Sequence, residues 1–276
     1  MGKTKGIGQK LLAAPYLVWM GVFIVVPLFM VAYFAFFGDD GQFTTQYIKD
    51  VWQYSDIFLR SVWLSAIATV ICLIIAYPVA FILSRMDAKT QSTMLMIVML
   101  PMWMNFLLRT YAWMTILGNE GIINSFIQAL GFEPVKMLNT QGAVVLGMVY
   151  NYLPYMILPI YSVMVKIDNS ILEAAADLGC NRILATVKVV VPLSLPGIIS
   201  GIIMVFVPAI STFIISRMLG GGSNLLIGDL IEMQFLGTAY NPNLGAAISL
   251  VLMVIVLIIM AVMNGFDSSD DDRVLI

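Results

Sequence analysis

Apolar residues run along this chain in long, nearly unbroken stretches, with short polar or charged segments between them. A helix that crosses a bilayer needs about 20 mostly apolar residues. Six stretches meet that length: 12–37, 62–83, 93–117, 142–165, 196–219 and 244–264. They predict an all-α integral membrane protein with six transmembrane helices, forming a single membrane domain over 1–276. Lys3, Lys5 and Lys10 look like the basic start of a signal peptide. The apolar run behind them is too long for one and no small-residue cleavage site follows, so it reads as an uncleaved first span. The tail from Asp267, with Asp270, Asp271 and Asp272, reads as a solvated, disordered end.

The basic residues orient the spans, because segments facing the cytoplasm carry an excess of Lys and Arg. With the N-terminus inside, the inner segments hold Lys3, Lys5, Lys10, Arg85, Lys89, Lys166, Arg182, Lys188 and Arg273. The outer ones hold only Lys49, Arg60 and Lys136. Both termini are therefore expected in the cytoplasm of a bacterial inner-membrane protein. The outer segments also carry Asp39, Asp40, Asp50, Asp56, Glu120, Glu133, Asp229 and Glu232, which makes the outer face acidic. Positive-inside topology alone leaves such a face; a role with cationic solutes is the other reading.

Composition strengthens the membrane assignment and narrows the chemistry. Hydrophobic residues make up 61% of the chain and charged ones 11%, against roughly half and a quarter in soluble domains. The net charge of −2 gives no reason to expect nucleic acid. There is no histidine, and Cys72 and Cys180 have neither metal-ligand nor disulfide-framework spacing, so no metal site and no enzyme chemistry are expected. Nor is a P-loop present. Gly2-Lys3-Thr4 imitates only its end, and Gly220-Gly221-Gly222 lacks the lysine. This chain is expected to hold no cofactor of its own.

The most patterned polar segment is 166–195, between the fourth and fifth spans. Ser170 and Glu173 have capping-box spacing, which predicts a helix from Ile171. Ile171, Ala174, Ala175 and Leu178 line one face, and Gly179 stands where a left-handed cap would end it. A second helical stretch then runs from about Arg182 to Pro192. By composition this could be an ordinary amphipathic interfacial helix. The full spacing, however, is similar to the permeases of binding-protein-dependent ABC importers. Glu173, Ala174, Ala175 and Gly179 match their motif, and Val189, Val191 and Pro192 fit its aliphatic-x-aliphatic-Pro ending, with valines where the family more often has Ile and Leu. The resemblance implies the type I permease fold, with this loop as the coupling helix seated in a groove of an ATPase subunit. It also implies a second, related permease, two ATPase copies and an extracytoplasmic solute-binding protein.

Polar residues inside the spans are few, and such residues are costly in lipid. The third span holds Trp103, Asn105, Arg109 and Tyr111; Asn105 and Arg109 are four apart and share a helix face, and Pro101 permits a kink. The fourth span holds Tyr150, Asn151 and Tyr155. Trp103, Asn105, Tyr111, Tyr150, Asn151 and Tyr155 are candidates to line a solute path, although interface belts and core packing also use such residues. Arg109 reads as either a structural charge, paired with Glu120 or a partner subunit, or a path residue. No carboxylate lies within the six cores, so a crossing cation would rely on aromatic faces and amide oxygens. Gly197 and Gly201 form G-x-x-x-G at the start of the fifth span, permitting close helix approach.

The third span around Pro101, Trp103, Asn105, Arg109 and Tyr111 resembles permeases of the spermidine/putrescine branch. So do the strings Met218-Leu219-Gly220-Gly221, Asn224-Leu225-Leu226-Ile227-Gly228 and Gln234-Phe235. That branch implies a polyamine as solute. An ABC importer permease for another small solute, such as an amino acid or oxyanion, and a gradient-driven carrier are the alternatives. A gradient-driven carrier expects embedded carboxylates or inverted repeats with broken helices.

Overall fold

The computed structural model describes residues 15–271, apart from Asp39, Ser223 and Thr238. Lys3, Lys5, Lys10, the start of the first expected span, Asp272 and Arg273 lie outside the described residues. The described residues are overwhelmingly helical. In chain order the helices are α1 (Pro15–Phe36), α2 (Gln46–Asp50), α3 (Ser55–Ser84), α4 (Ala88–Trp103), α5 (Phe106–Leu117) and α6 (Ile122–Ala129). They continue as α7 (Gln141–Met164), α8 (Asn169–Asp177), α9 (Ile183–Ile210), α10 (Ile214–Gly220), α11 (Ile227–Leu236) and α12 (Pro242–Asp271). Among the described residues, five helical runs are long and apolar enough to cross a membrane, and the bent pair of α4 with α5–α6, counted as one crossing, makes the sixth.

The described chain divides into two compact units. One joins the segment ending at Ser55 to Leu230–Ile255, and the other joins Asp56–Asp229 to the segment beginning at Val256. In the first, Tyr33 stacks on Phe37 with ring centroids 4.7 Å apart. Phe37 pairs with Phe43 across a tight turn. The Asn243 amide donates to the Tyr47 hydroxyl at 3.4 Å.

The second unit is built on close helix approach. Along α3 the residues Ser61, Ser65, Ala68, Cys72, Ala76 and Ala80, three or four apart, are all buried. This stripe of small side chains lets other helices come near; Ser61 turns its hydroxyl back onto Ile57 O at 2.8 Å, and Thr69 beside the stripe donates to Ser65 O at 2.7 Å. α7 and α9 form the tightest pair. A Cβ on Gly197 would stand 2.8 Å from Pro159 O, and one on Gly201 would stand 2.7 Å from Met156 Sδ. The G-x-x-x-G expectation is met by this contact. Apolar side chains seal the unit in two clusters. One centres on Leu64, Val144, Met148, Ile215 and Leu219; the other centres on Cys72, Ala76, Met156, Ile160 and Val205, and reaches Ile167 and Val190.

Four expected elements differ. The third span is not one helix. It breaks at Met104 and Asn105, and the flanking helices are bent by 86°. Pro101 leaves the Ile97 carbonyl without its usual donor, and Asn105 starts a fresh helix by capping it: its side-chain oxygen accepts from Leu107 N (2.8 Å) and Leu108 N (3.4 Å). The fifth span runs over Ile183–Ile210 rather than 196–219, and a break at 211–213 separates it from α10. Pro192 does not end a helix. A π turn at Thr186–Val190 precedes it, and the helix continues through Pro192 over Val191–Ile210, the wider turn making room for the proline ring inside the helix. Last, α12 continues through Asp271, so the stretch from Asp267 to Asp271 is helical rather than disordered.

Candidate functional site

In the 166–195 loop, Asp168 starts the helix. Its side chain accepts from Ser170 N at 3.0 Å, and that backbone bond holds its carboxyl below the usual carboxylate range. The helix begins at Asn169, two residues before the expected Ile171, because Ile167 is buried against the core and the chain leaves it directly into a capping residue. Ser170 and Glu173 therefore lie within the first turns and do not form a capping box. At the other end Gly179 has φ +85°, with Gly179 N bonded to Ala176 O (2.9 Å) and Cys180 N to Ala175 O (3.0 Å). These are the paired 5→2 and 6→1 bonds of a Schellman cap. The glycine cap expected at Gly179 is present.

The face this helix presents differs from the expected one. Leu172 and Ala175 turn inward, while Glu173, Ala174, Ile171 and Leu178 face out. Leu178 is 87% exposed, and Ile183 just beyond it is 76% exposed. Beside them is a shallow pocket of about 440 Å³ lined by Phe81, Leu172, Glu173, Ala176, Cys180 and Thr186. The loop thus offers an apolar, unpartnered surface on a firmly capped helix, continuous through one turn with α9.

The residues singled out in the third and fourth spans separate into two groups. Trp103 is 71% exposed, and Asn105, Tyr111 and Tyr155 are also exposed. Asn105 spends its oxygen on the α5 cap, leaving only its NH₂ group to face outward. Tyr150 is half-buried and packs edge-on against Trp113. Asn151 is only 2% exposed: its NH₂ donates to Gly147 O at 2.8 Å and its oxygen has no partner. Arg109 is 8% exposed, with Nε and Nη1 unpaired and its guanidinium 5.9 Å from the Phe106 ring. Glu120, its expected partner, is exposed.

Asp229 departs from the solvated acidic outer face. It is 1% exposed at the start of α11, where its Oδ2 accepts from Leu226 N at 2.9 Å while the next donor, Ile227 N, bonds Ser61 Oγ at 2.9 Å. Burial raises its carboxyl above the usual range, opposed by the nearby Ser216 hydroxyl, the Leu226 N–H and the Arg217 charge. Sequence reading also missed Asp168 as a cap. The signal was the run Asp168-Asn169-Ser170, three capping residues in a row.

No protein-family model matches the chain. Its architecture matches a bacterial ABC transporter involved in the import of the acidic polysaccharide alginate, with a TM-score of 0.81, 15% identity and 95% of each chain covered. A second structure, a bacterial alginate ABC transporter in complex with an alginate pentasaccharide-bound periplasmic protein, matches at a TM-score of 0.74 with 16% identity over 93% of this chain and 92% of that one. The fold is therefore that of an ABC importer permease. Among relatives, the spermidine/putrescine transport system permease protein PotB of Haemophilus influenzae is 38% identical over 264 residues, 92% of either chain. The PotB of Escherichia coli is 34% identical over 86% of this chain and 90% of its own. The inner membrane ABC transporter permease protein YdcU of Escherichia coli is 28% identical over 96% and 91%. This chain belongs to the PotB family of ABC transporter permeases.

Proposed function

We propose that this chain is one permease subunit of an ATP-driven polyamine importer, carrying spermidine or putrescine into the cytoplasm. The observation that carries the proposal is the 166–195 loop. A short helix, capped at both ends, holds Ile171, Leu178 and Ile183 outward on a protein whose relatives are named ABC permeases. Such a surface fits a groove in an ATPase subunit, which binds the ATP and Mg. The working complex adds a second homologous permease, two ATPase copies and a solute-binding protein on the outer side. Both termini and the loop lie in the cytoplasm. This subunit performs no chemical step; ATP-driven closure of the ATPases moves the loop, and the spans alternate access.

The broken third span supports the position of the path. Irregular backbone at membrane depth is tolerated only where it is covered by protein or lines water. Met104 and Asn105 are exposed on this subunit, so the break faces the second permease or the aqueous path between the two. Trp103, Asn105, Tyr111 and Tyr155 line that side, and aromatic faces attract ammonium groups by about 0.5–2 kcal/mol each. Tyr150 and Asn151 act from behind, by packing, and Arg109 is structural.

The test is uptake of labelled spermidine and putrescine by the complex reconstituted in vesicles. Trp103→Ala lowers uptake about tenfold, the equivalent of 1–2 kcal/mol, with the complex recovered intact. Uptake of an anionic solute, with neither polyamine carried, overturns the reading.

A further inference from the structure

The loop touches its chain neighbours, the fourth and fifth spans, through the backbone. The second span is not a neighbour in sequence, yet it too reaches the loop, and it does so through side chains. Arg85, the residue after the end of α3, extends its guanidinium across the inner surface. Its Nη1 donates to Ile167 O at 3.0 Å and to Asn169 Oδ1, at the start of α8. Those acceptors lie more than 80 positions along the chain. Phe81, one turn earlier, lies under the guanidinium at 5.7 Å and also lines the pocket with Leu172 and Ala176 of α8. Asp168, the α8 cap, feels the Arg85 charge as well. The arginine is itself held. Its backbone N–H bonds Ile82 O at 3.1 Å, and the next turn is fixed by Gln91 donating to Leu83 O at 3.1 Å.

We propose that Arg85 is a positioning residue for energy coupling: it fastens the start of α8 to the end of the second span, so that movement of the docked loop drives that span directly. The inference rests on the coupling reading of α8. Both bonds leave from Nη1, whose two N–H groups are held in fixed directions by the planar guanidinium on a fixed helix end; a lysine offers a freely rotating point charge in its place. Without these two bonds, loop motion reaches the fourth and fifth spans but is not delivered to the second.

The experiment uses the whole complex in vesicles and reads spermidine uptake per ATP hydrolysed. Arg85→Ala lowers that ratio about tenfold or more while ATP hydrolysis continues. Arg85→Lys restores part of it. Asn169→Ala gives an intermediate value, because the Ile167 carbonyl remains. An unchanged ratio in Arg85→Ala overturns the proposal, including the case in which uptake and hydrolysis fall together. Should the Arg85→Ala complex not assemble, Asn169→Ala decides, and a wild-type ratio there overturns it. Gly179→Val is the control for the underlying reading. If Gly179→Val leaves uptake intact, the loop is not the coupling element. If it uncouples while Arg85→Ala does not, only the role of Arg85 is lost.

Discussion

Substitution at Gly179 separates the loop's geometry from its bulk. A Cβ added there meets nothing within 4 Å, so side-chain volume has no local cost. The cost lies in the backbone at φ +85°, where an L-residue loses about 1–2 kcal/mol. That shifts the balance between a capped and a frayed α8 by a factor of about 5 to 30. Asparagine tolerates the left-handed region better than alanine, and the β-branched valine tolerates it least. The predicted order of damage is therefore Val, then Ala, then Asn, although Asn is larger than Ala. Two measurements follow the series in the intact complex: polyamine uptake, and hydrogen exchange at the Leu178, Gly179 and Cys180 amides, which close the cap. Exchange rises in the stated order and uptake falls with it. Damage that follows side-chain size, with Asn worse than Ala, refutes the reasoning, as does faster exchange with uptake unchanged in Val.

Gly197→Leu forces a side chain against the Pro159 carbonyl, which cannot yield, and costs about 1–3 kcal/mol or more; the complex is recovered poorly and melts lower, whereas Gly142→Ala, whose Cβ meets only Thr140 Oγ1 at 3.8 Å, is neutral. Asp229 has its carboxyl raised by burial, so the folded state binds a proton more readily than the unfolded one, and its contribution is full below the ordinary aspartate value and lost as pH rises through the raised one. Asp229→Asn keeps an oxygen for Leu226 N–H without the buried charge; its thermal midpoint at neutral pH matches or exceeds wild type, and a lower one contradicts the account. Cys72 is buried and Cys180 half-buried, so a membrane-impermeant maleimide labels the native protein once per chain and only from the cytoplasmic side; labelling from outside reverses the topology.

The spans were legible because water-soluble folds seldom carry uninterrupted apolar runs of bilayer length. The fourth shows it best: expected at 142–165, it folds as Gln141–Met164. Gly179 was legible for a similar reason, since a left-handed cap strongly favours one residue type. The third and fifth spans were misread at their breaks. Hydropathy averages over a window, so an uncharged two- or three-residue interruption such as Met104-Asn105 leaves it unchanged, and only Pro101 with a capping Asn105 marks the site. Asn105 and Asn151 look alike in sequence, yet one caps an exposed helix start and the other is buried against its own helix. That difference is set by tertiary packing. Arg85 entered the sequence reading only as one of the basic residues on the inner side. Its partners lie more than 80 residues away, and nothing local announces them.

The length of α9 has a mechanical meaning. Its 28 residues at about 1.5 Å each make a rod of about 42 Å, against about 30 Å of hydrocarbon. The rod is about two turns longer than a crossing needs, and Gly197 and Gly201 clamp it to α7. A fulcrum placed there leaves an arm of about 21–27 Å toward Ile183 and one of about 14–20 Å toward Ile210. A tilt about that clamp carries a displacement at the Ile183 end to the Ile210 end in the opposite direction and somewhat reduced, as in an oar held in its lock.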